Sequence, residues 1–394
     1  MNATLDIRAA SASAAGLDPD ALGRLGASIQ ADIDQDQMFG ASILVARGGL
    51  IGLRQSFGTV APERPAVDSD VYLLMSLSKA FTAALTLRAI DHGRYALDTR
   101  VADLIPAFGT GGKARVTVRH LLTHTAGTYS HFAPAPPLAP QELGNLAKNV
   151  LAISALPATG VPGERVMYNP FAGYAVLGQI LVATDPAKRS FQQIAREDLF
   201  EPLGMHDTQF GLRADDPRRV PVSFTDRNAT PASWPTCELL NTALDEHAEH
   251  PAGGAFGTVD DVFRFADTLR KRGRHSSYRL ISQAMFDYAS QNHTDALSNS
   301  AWDWCREAHG LPDYPANFSL LGGYVRGTGH YMNGAGYLAS PRTFYAVGGG
   351  STMWMVDPER DLTFVFLSAG FIEGLAHFDR LRRLGDLVLA ACVD

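Results

Sequence analysis

Apolar positions near the start of the chain predict a helix followed by a hairpin. Between residues 17 and 34, apolar side chains from Leu22 to Ile33 recur at helical spacing, which is typical of an amphipathic helix. The runs ASILVARGG and LIGLRQSFG follow, and Gly48 and Gly49 stand between them. Strand-like runs joined by a short glycine turn predict a β-hairpin packed on that helix.

The far end of the chain repeats this pattern in reverse order. RTFYAVGGG, STMWMVDPERD and LTFVFLSAG are strand-like runs separated by glycine-rich or DPERD turns, and Glu373 to Ala391 has the apolar stripe of a closing helix. We therefore expect both ends to contribute strands to one antiparallel sheet with helices on its faces.

The middle of the chain differs from both ends. It is predicted to be mostly helical, with long irregular connections such as HFAPAPPLAPQE at 131–142, where the prolines preclude regular structure. A stretch rich in Asn, Ser and Trp lies near 290–318. Long segments of this kind frequently border a site, so both are predicted to be loops over one.

Composition indicates a globular protein that acts on something small. Of the 394 residues, 46% are apolar and 19% are charged, which excludes a disordered or collagen-like chain. The 34 basic and 41 acidic residues give a net charge of −7. A chain with this charge lacks the basic footprint of a nucleic-acid or anionic-membrane binder, so we expect a small-molecule partner.

The three cysteines argue against a disulfide or metal framework, and the first residues argue against a secretion signal. Cys237, Cys305 and Cys392 are an odd, widely spaced set, which favours neither a disulfide framework nor a metal cluster. The stretch from Met1 to Gly16 lacks a basic segment followed by an apolar one, and no run of 18 apolar residues comes later. We expect a cytoplasmic protein.

The run VYLLMSLSKAFTAALTLRAIDHG carries the first candidate chemistry. Ser76 lies at a predicted helix start and Lys79 lies three residues later on the same face. A serine hydroxyl is a poor nucleophile until a base takes its proton, and a desolvated lysine can be neutral enough to do so. Taken alone, the pair is better explained as a solvated helix start than as a catalytic pair.

The order of further segments resembles the serine β-lactamase-like family, in its class C branch. That branch holds class C β-lactamases, DD-peptidases, family VIII carboxylesterases and statin-side-chain acyltransferases. The likeness covers nearly the whole chain. Seven runs carry it, in the family's order: SLSKAFTA, DHGRYALDTRVADLIPAF, VTVRHLLTHTAG, PGERVMYNPFAGYAVLG, DLFEPLGMHDTQF, PAGGAFGTVDDVFRFADTL and GGGSTMWMVDPERDLTFVF.

The resemblance implies that Ser76 is the acyl-accepting nucleophile, with Lys79 and Tyr168 moving its proton. A phenol acts as a base near neutral pH only if a cation stabilises its ionised form, and Lys79 is the candidate; otherwise Tyr168 is a buried, hydrogen-bonded aromatic. The family's asparagine stands two residues after the tyrosine, whereas here Asn169 follows directly. Asn169 is therefore a candidate substrate contact displaced from the family position.

The family's third element, Lys-Thr-Gly or His-x-Gly, falls on Ala346-Val347-Gly348 when counted back from Asp357-Pro358. Loss of its cation argues for neutral esters over anionic β-lactams. The resemblance implies that Gly349 and Ser76 offer their N–H groups as an oxyanion hole. A gap of one residue would move the donor to Gly350, and the three glycines could instead form a bulge or tight turn.

Histidines offer weaker alternatives. His120 and His124 are four apart on a predicted helix, a spacing that suits a metal, but no third ligand stands out and the family keeps these residues as structure. His247 and His250 lie in an acidic stretch predicted to be a solvated helix or loop. A Ser-His-Asp triad is disfavoured because the chain has no Gly-x-Ser-x-Gly elbow.

Aromatic residues in the irregular segments could line an apolar pocket or simply anchor long loops. Tyr129 and Trp302 are the two candidate substrate contacts among them. The full set is Tyr129, Phe132, Trp234, Trp302, Trp304, Tyr314 and Phe318.

Together these features predict an α/β (α+β) fold of the β-lactamase/transpeptidase type. Residues 1–79 and 311–394 would form a sheet domain, 80–310 a mostly helical domain, and the site would lie between them. The function predicted is a carboxylesterase for short or medium acyl esters, without metal or organic cofactor. Alternatives are an acyltransferase to a specific alcohol, a D-amino-acid peptidase or amidase, a weak β-lactamase, and an inactive ligand binder. Oligomeric state is not predicted.

Overall fold

The computed structural model describes residues 10–131, 134–328, 333–372 and 374–393. The α-helices are α1 (Pro19–Asp34), α2 (Ser78–Asp91), α3 (Val101–Leu104), α4 (Val118–Leu122), α5 (Leu146–Ala155), α6 (Ala172–Thr184), α7 (Phe191–Ala195), α8 (Ser233–Thr242), α9 (Val259–Arg270), α10 (Gln283–Ala289), α11 (Asp303–Ala308) and α12 (Gly374–Leu389). Short 3₁₀ segments cover Ser13–Ala15, Met75–Leu77, Pro106–Gly109, Pro140–Glu142, Glu201–Leu203 and Ser300–Trp302, and a π-helical turn covers Arg196–Phe200.

The strands alternate with these helices along the chain. They are β1 (Gly40–Arg47), β2 (Leu50–Ala61), β3 (Arg64–Pro65), β4 (Tyr72–Leu73), β5 (Gln209–Phe210), β6 (Ala255–Gly257), β7 (Arg274–His275), β8 (Tyr278–Arg279), β9 (Tyr324–Val325), β10 (Phe344–Gly348), β11 (Thr352–Asp357) and β12 (Leu362–Ala369). The main sheet has the order β3-β2-β1-β12-β11-β10-β9.

Both ends of the chain build the main sheet. Strand β1 pairs antiparallel with β12, so that Gly40 lies opposite Ala369, and with β2 across the turn at Gly48 and Gly49. The N–H of Asp18 also donates to the carbonyl of Ala391, at 2.8 Å. The predicted antiparallel sheet, its hairpin and its flanking helices are therefore confirmed.

Alternation along β1 explains why both faces of the sheet are covered. Ile43 and Val45 belong to a core with α1 and α12, whereas Leu44 and Ala46 face the opposite core. Helix α9, from the middle of the chain, packs against β11 and β12 on that second face. The division at 79/80 and 310/311 stays a prediction. None of the described helices combines the length and apolarity needed to cross a bilayer.

Candidate active site

Ser76 lies in a tight 3₁₀ turn immediately before α2. Met75 adopts a left-handed φ of 49°. A residue other than glycine keeps this strained backbone conformation only when surrounding contacts stabilise it. Two bonds fix the preceding Leu74: its N–H donates to the carbonyl of Ala255 at 2.8 Å, and its carbonyl accepts the Thr352 hydroxyl at 3.2 Å. Strands from two sheets thus hold the turn that presents Ser76.

The Lys79 amine lies beside the Ser76 hydroxyl. Its Nζ is 3.1 Å from Ser76 Oγ, 2.9 Å from the carbonyl oxygen of Pro170 and 2.7 Å from that of Ala252. The side chain is buried, and burial lowers the pKa of Lys79 to about 7. A neutral amine can donate its two hydrogens to the two carbonyls, which leaves its lone pair directed at Ser76 Oγ.

The Tyr168 hydroxyl contacts Ser76 from another side. Its oxygen lies 2.7 Å from Ser76 Oγ, and burial raises the pKa of Tyr168 to about 12, with the Ser76 hydrogen bond opposing the rise. Lys79 Nζ lies 5.2 Å from the centre of the Tyr168 ring. Because the lysine has the lower pKa, its neutral amine is the better base of the two at rest, and the phenol keeps its proton.

His124 holds the segment that carries Tyr168. Its Nδ1 accepts the N–H of Asn169 and its carbonyl accepts the N–H of Met167, both at 3.0 Å. Its ring centre is 4.8 Å from that of Tyr168. The helix predicted to carry both His120 and His124 is shorter than expected: α4 ends at Leu122, and His124 has a left-handed φ of 58°.

Each of the two imidazoles binds a different backbone amide, since His120 Nδ1 accepts the N–H of Thr117 at 3.1 Å. Their Nδ1 atoms are therefore occupied by the protein itself. Within the described residues, no group of three or more His, Cys, Asp or Glu side chains is placed to hold a metal ion.

Changing His124 to phenylalanine is expected to lower kcat about tenfold or more with little change in KM. The ring volume is kept, but the buried N–H of Asn169 loses its acceptor, which costs roughly 1–3 kcal/mol and loosens Tyr168. Ester turnover and urea unfolding measure both effects. His120→Phe is the matched control: it also removes a backbone acceptor, yet kcat should stay at the wild-type value. Equal losses of kcat in the two variants would contradict this role for His124.

Asn169 and Tyr129 contact each other and stand outside the residues that line the Ser76 cavity. The Asn169 amide donates to the carbonyl of Tyr129, and its Oδ1 accepts the N–H of Gly173 at 3.2 Å. The Tyr129 hydroxyl donates to the carbonyl of Pro134 at 3.2 Å. Both side chains thus have partners within the protein, and their role as substrate contacts stays a prediction. The side chain of Trp302 lies outside the described residues.

Of the other aromatic candidates, one is buried beside the site and one is exposed to solvent. Phe318 is buried and its ring centre lies 4.7 Å from His124 and 6.3 Å from Tyr168, so it supports the tyrosine from behind. Trp234 is 77% exposed and lines no part of the cavity. Phe132 and the side chain of Trp304 lie outside the described residues.

The predicted glycine strand reaches the Ser76 turn. Strand β10 ends at Gly348, where a Cβ atom would lie 2.4 Å from the carbonyl oxygen of Leu74. A tight turn follows, closed by the Ser351 N–H on the Gly348 carbonyl at 3.2 Å. Gly350 has a φ of 81° within that turn, and Gly349 faces the cavity.

Two backbone donors remain open beside this turn. Among the described residues, the N–H groups of Ser76 and Gly349 have no acceptor, as is usual at a helix start and at a strand end. Both residues line the same cavity. The arrangement can offer two N–H groups to one oxygen atom bound there.

The cavity over Ser76 has a volume of about 130 Å³. None of the described residues that line it is Asp, Glu, Lys or Arg, and Ala346 brings no cation to it. The lining residues are Met75, Ser76, Tyr168, Pro170, Phe171, Leu240, His250, Ala252, Gly253, Tyr324, Val347, Gly349, His377 and Phe378.

Two of these, His250 and His377, were missed by the sequence reasoning. His250 was expected in a solvated segment; that expectation is wrong, because the residue is only 4% exposed, whereas His247 is exposed. His250 directly precedes the PAGGAFG run, which is buried in the core. That position next to a buried run was the sequence signal for its burial. His377 lies on α12 beside Phe378, and nothing in its sequence context marks it.

The antiparallel sheet, the helices on both faces and the Ser76–Lys79–Tyr168 cluster define a β-lactamase/transpeptidase-like protein. The chain belongs to the Beta-lactamase family, whose model matches residues 25–388.

Relatives within this family have different activities. Esterase EstB of Burkholderia gladioli is 27% identical over 318 residues, which cover 70% of this chain and 79% of EstB. Penicillin-binding protein 4 of Amycolatopsis lactamdurans is 31% identical over 210 residues, 51% of each chain. The family and its fold are thus shown, whereas the specific activity differs between relatives.

Solved structures agree on the fold. EstCE1, described as a hydrolase with promiscuous acyltransferase activity, superposes with a TM-score of 0.73 at 22% identity, covering 94% of this chain and 98% of its own. Simvastatin synthase (LovD) of Aspergillus terreus gives a TM-score of 0.71 at 18% identity, with the same coverage. At these identities the likeness concerns the fold alone.

Proposed function

We propose that the protein is a carboxylesterase that cleaves short, uncharged acyl esters through an acyl-Ser76 intermediate. One observation carries this: Ser76 Oγ lies between Lys79 Nζ at 3.1 Å and Tyr168 Oη at 2.7 Å. The cluster opens into a cavity whose described lining carries no carboxylate, ammonium or guanidinium group. The similarity to esterase EstB supports the same assignment.

In the acylation step, Ser76 Oγ forms a bond to the ester carbonyl carbon while Lys79 Nζ takes its proton. The N–H groups of Ser76 and Gly349 stabilise the oxyanion of the tetrahedral intermediate. As the carbon–oxygen bond to the alcohol breaks, Tyr168 protonates the leaving oxygen, and the proton on Lys79 restores the phenol. Water then takes the place of the alcohol, and the same proton transfers in reverse order release the acid and restore Ser76.

The absence of charge from the described lining favours esters over β-lactams. A β-lactam carries a carboxylate, and a site that binds it tightly supplies a cation at hydrogen-bond distance. The third-element position holds Ala346, which is buried within the sheet. Lys79 is committed to two carbonyls and to Ser76, so it is not available for this contact.

A panel of p-nitrophenyl esters from acetate to octanoate, with a chromogenic cephalosporin alongside, tests the proposal. The cavity of about 130 Å³ is well below the roughly 300–1,000 Å³ of sites for drug-sized ligands. We therefore expect kcat/KM to be highest for acetate or butyrate, to fall about tenfold or more by octanoate, and to be very low for the cephalosporin. Faster cephalosporin than ester cleavage would overturn the substrate assignment, and no turnover of either would overturn the hydrolase assignment.

Acyl transfer to an alcohol is the second candidate, because any nucleophile that enters after the first alcohol leaves can release the acyl group. EstCE1 and LovD, both similar in fold, carry acyltransferase or synthase descriptions. Product analysis with added 1-butanol separates the two functions: free acid indicates hydrolysis, and butyl ester indicates transfer.

A further inference from the structure

Two histidine side chains in the Ser76 cavity lack a hydrogen-bond partner among the described residues. His250 is 4% exposed and His377 is 7% exposed, and both line the cavity. No described residue bonds either ring, and Nδ1 of His377 is fully enclosed without a partner. Buried polar groups nearly always have a partner in a native protein. A group that lacks one and faces a cavity is therefore a candidate to bind a ligand.

Hydrogen bonds hold the backbone of the turn that carries His250. The carbonyls of the next two residues, Pro251 and Ala252, accept from Thr82 Oγ1 at 2.8 Å and from Lys79 Nζ at 2.7 Å. The N–H groups of Gly253 and Gly254 close back on the His250 carbonyl, at 3.2 and 2.9 Å. These bonds hold the backbone of the His250 turn against α2, and the His250 side chain is buried there.

The ring also lies close to the nucleophile's turn. A Cβ atom placed on Gly253 would lie 3.4 Å from Nε2 of His250 and 3.8 Å from the carbonyl carbon of Met75. Gly253 therefore lies between the His250 imidazole and the backbone of Met75, which precedes Ser76. The Phe171 ring packs against His250 with centres 5.2 Å apart, which holds the ring from the other side.

Both imidazoles are uncharged at neutral pH. Burial, together with the neighbouring charges of Lys79 and Arg380 respectively, lowers the pKa of His250 and of His377 to about 3. A neutral imidazole offers one N–H donor and one acceptor nitrogen. A hydroxyl group, itself both donor and acceptor, complements it, whereas the described lining of the cavity includes no Lys or Arg side chain to pair with a carboxylate.

We propose that His250 and His377 are the hydrogen-bonding groups that select the acyl part of the substrate, and that the preferred substrates are esters of hydroxy acids. The inference rests on the proposed esterase function. The acyl part is assigned because it stays on Ser76 through both half-reactions, inside the cavity that the two histidines line. Plain alkyl acyl groups leave both rings unpaired and are cleaved more slowly.

The test compares two substrates of nearly equal shape, p-nitrophenyl 3-hydroxybutyrate and p-nitrophenyl 3-methylbutyrate. Wild-type kcat/KM is expected to be about tenfold or more higher for the hydroxy ester, since a site built to bind a hydroxyl disfavours an analogue that lacks it. In His250→Phe the ratio should fall toward one. His250→Gln, which keeps a donor and an acceptor, should retain part of the preference.

His247→Phe is the matched control, because that histidine is exposed three residues away, and its substrate ratio should equal the wild-type ratio. A wild-type ratio of one or below overturns the inference but leaves the proposed esterase function intact. This measurement does not depend on whether any variant folds. Failure of the wild type to cleave p-nitrophenyl acetate overturns the proposed function itself. A normal ratio in folded His250→Phe would remove His250 from the recognition role.

Discussion

Replacing Ser76 by alanine is expected to lower kcat/KM for p-nitrophenyl acetate by about 10⁴-fold or more. Among the described residues, the substitution removes the one atom within hydrogen-bond distance of both Lys79 Nζ and Tyr168 Oη, so the nucleophile and the proton path between the two groups are both lost. Initial rates measure the loss. Mass spectrometry of the wild type after rapid quenching should show the added acyl group on the peptide that contains Ser76, and no such adduct in the variant.

Ser78→Ala is the matched control for this loss. Ser78 lies two residues away and its hydroxyl accepts the N–H of Ala255 at 3.0 Å. Its removal should lower the free energy of unfolding by about 1 kcal/mol while most of the turnover remains. Near-normal turnover in Ser76→Ala, or an acyl adduct elsewhere in the chain, would exclude Ser76 as the nucleophile.

Lys79→Met is expected to lower kcat about 10³- to 10⁴-fold, because the proton acceptor is lost while the volume of the side chain is kept. In the wild type, kcat/KM should rise with pH through about 7, where burial places the pKa of Lys79, since only the neutral amine accepts the Ser76 proton. The residual activity of the variant should lack this rise. A wild-type profile that falls through pH 7 would reverse the assignment of the base.

The same lysine makes the free energy of unfolding rise with pH. Its pKa is about 7 in the folded protein and 10.5 in the unfolded chain, so the unfolded chain binds more protons between these values. The free energy of unfolding therefore gains a contribution that rises with pH by up to about 1.4 kcal/mol per unit in this window. Urea unfolding from pH 7.5 to 9.5 should show a steeper rise for the wild type than for Lys79→Met.

Exposed Lys188 supplies the comparison for both measurements. Lys188→Met should keep the wild-type slope of stability against pH and the wild-type activity. Parallel stability curves for the wild type and Lys79→Met would mean that Lys79 keeps its ordinary proton affinity in the folded protein, and would remove the basis for its role as the base.

The sheet could be predicted because its signals are local. Runs of β-branched and aromatic residues punctuated by glycine turns define β1, β2, β10, β11 and β12 without any knowledge of their partners. The contact between Ser76 and Lys79 likewise follows from the pitch of one helical turn, which places residues three apart on the same face. Tyr168 had no local signal and was located only through the family resemblance.

His250 shows why the rest could not be predicted. Its neighbours Glu246 and His247 are exposed, and polarity alone predicts a solvated segment. The burial of His250 is decided by bonds to Thr82 and Lys79, far away in the sequence, which pull the 250–254 turn onto α2. Long-range hydrogen bonds of this kind produce no periodic pattern in the sequence. Residues that face a cavity because of such bonds are therefore hard to predict from sequence.

The pairing of β1 with β12 has a consequence for synthesis on the ribosome. Strand β2 ends at Ala61 and β12 ends at Ala369, so at 5–20 residues per second β1 waits roughly 15 to 60 s for its second partner. During that interval one edge of the hairpin is open, and open edges recruit strands of other chains. Thr352, which fixes the turn before Ser76, is also made late. The nascent enzyme is therefore both aggregation-prone and inactive until its final hairpin emerges.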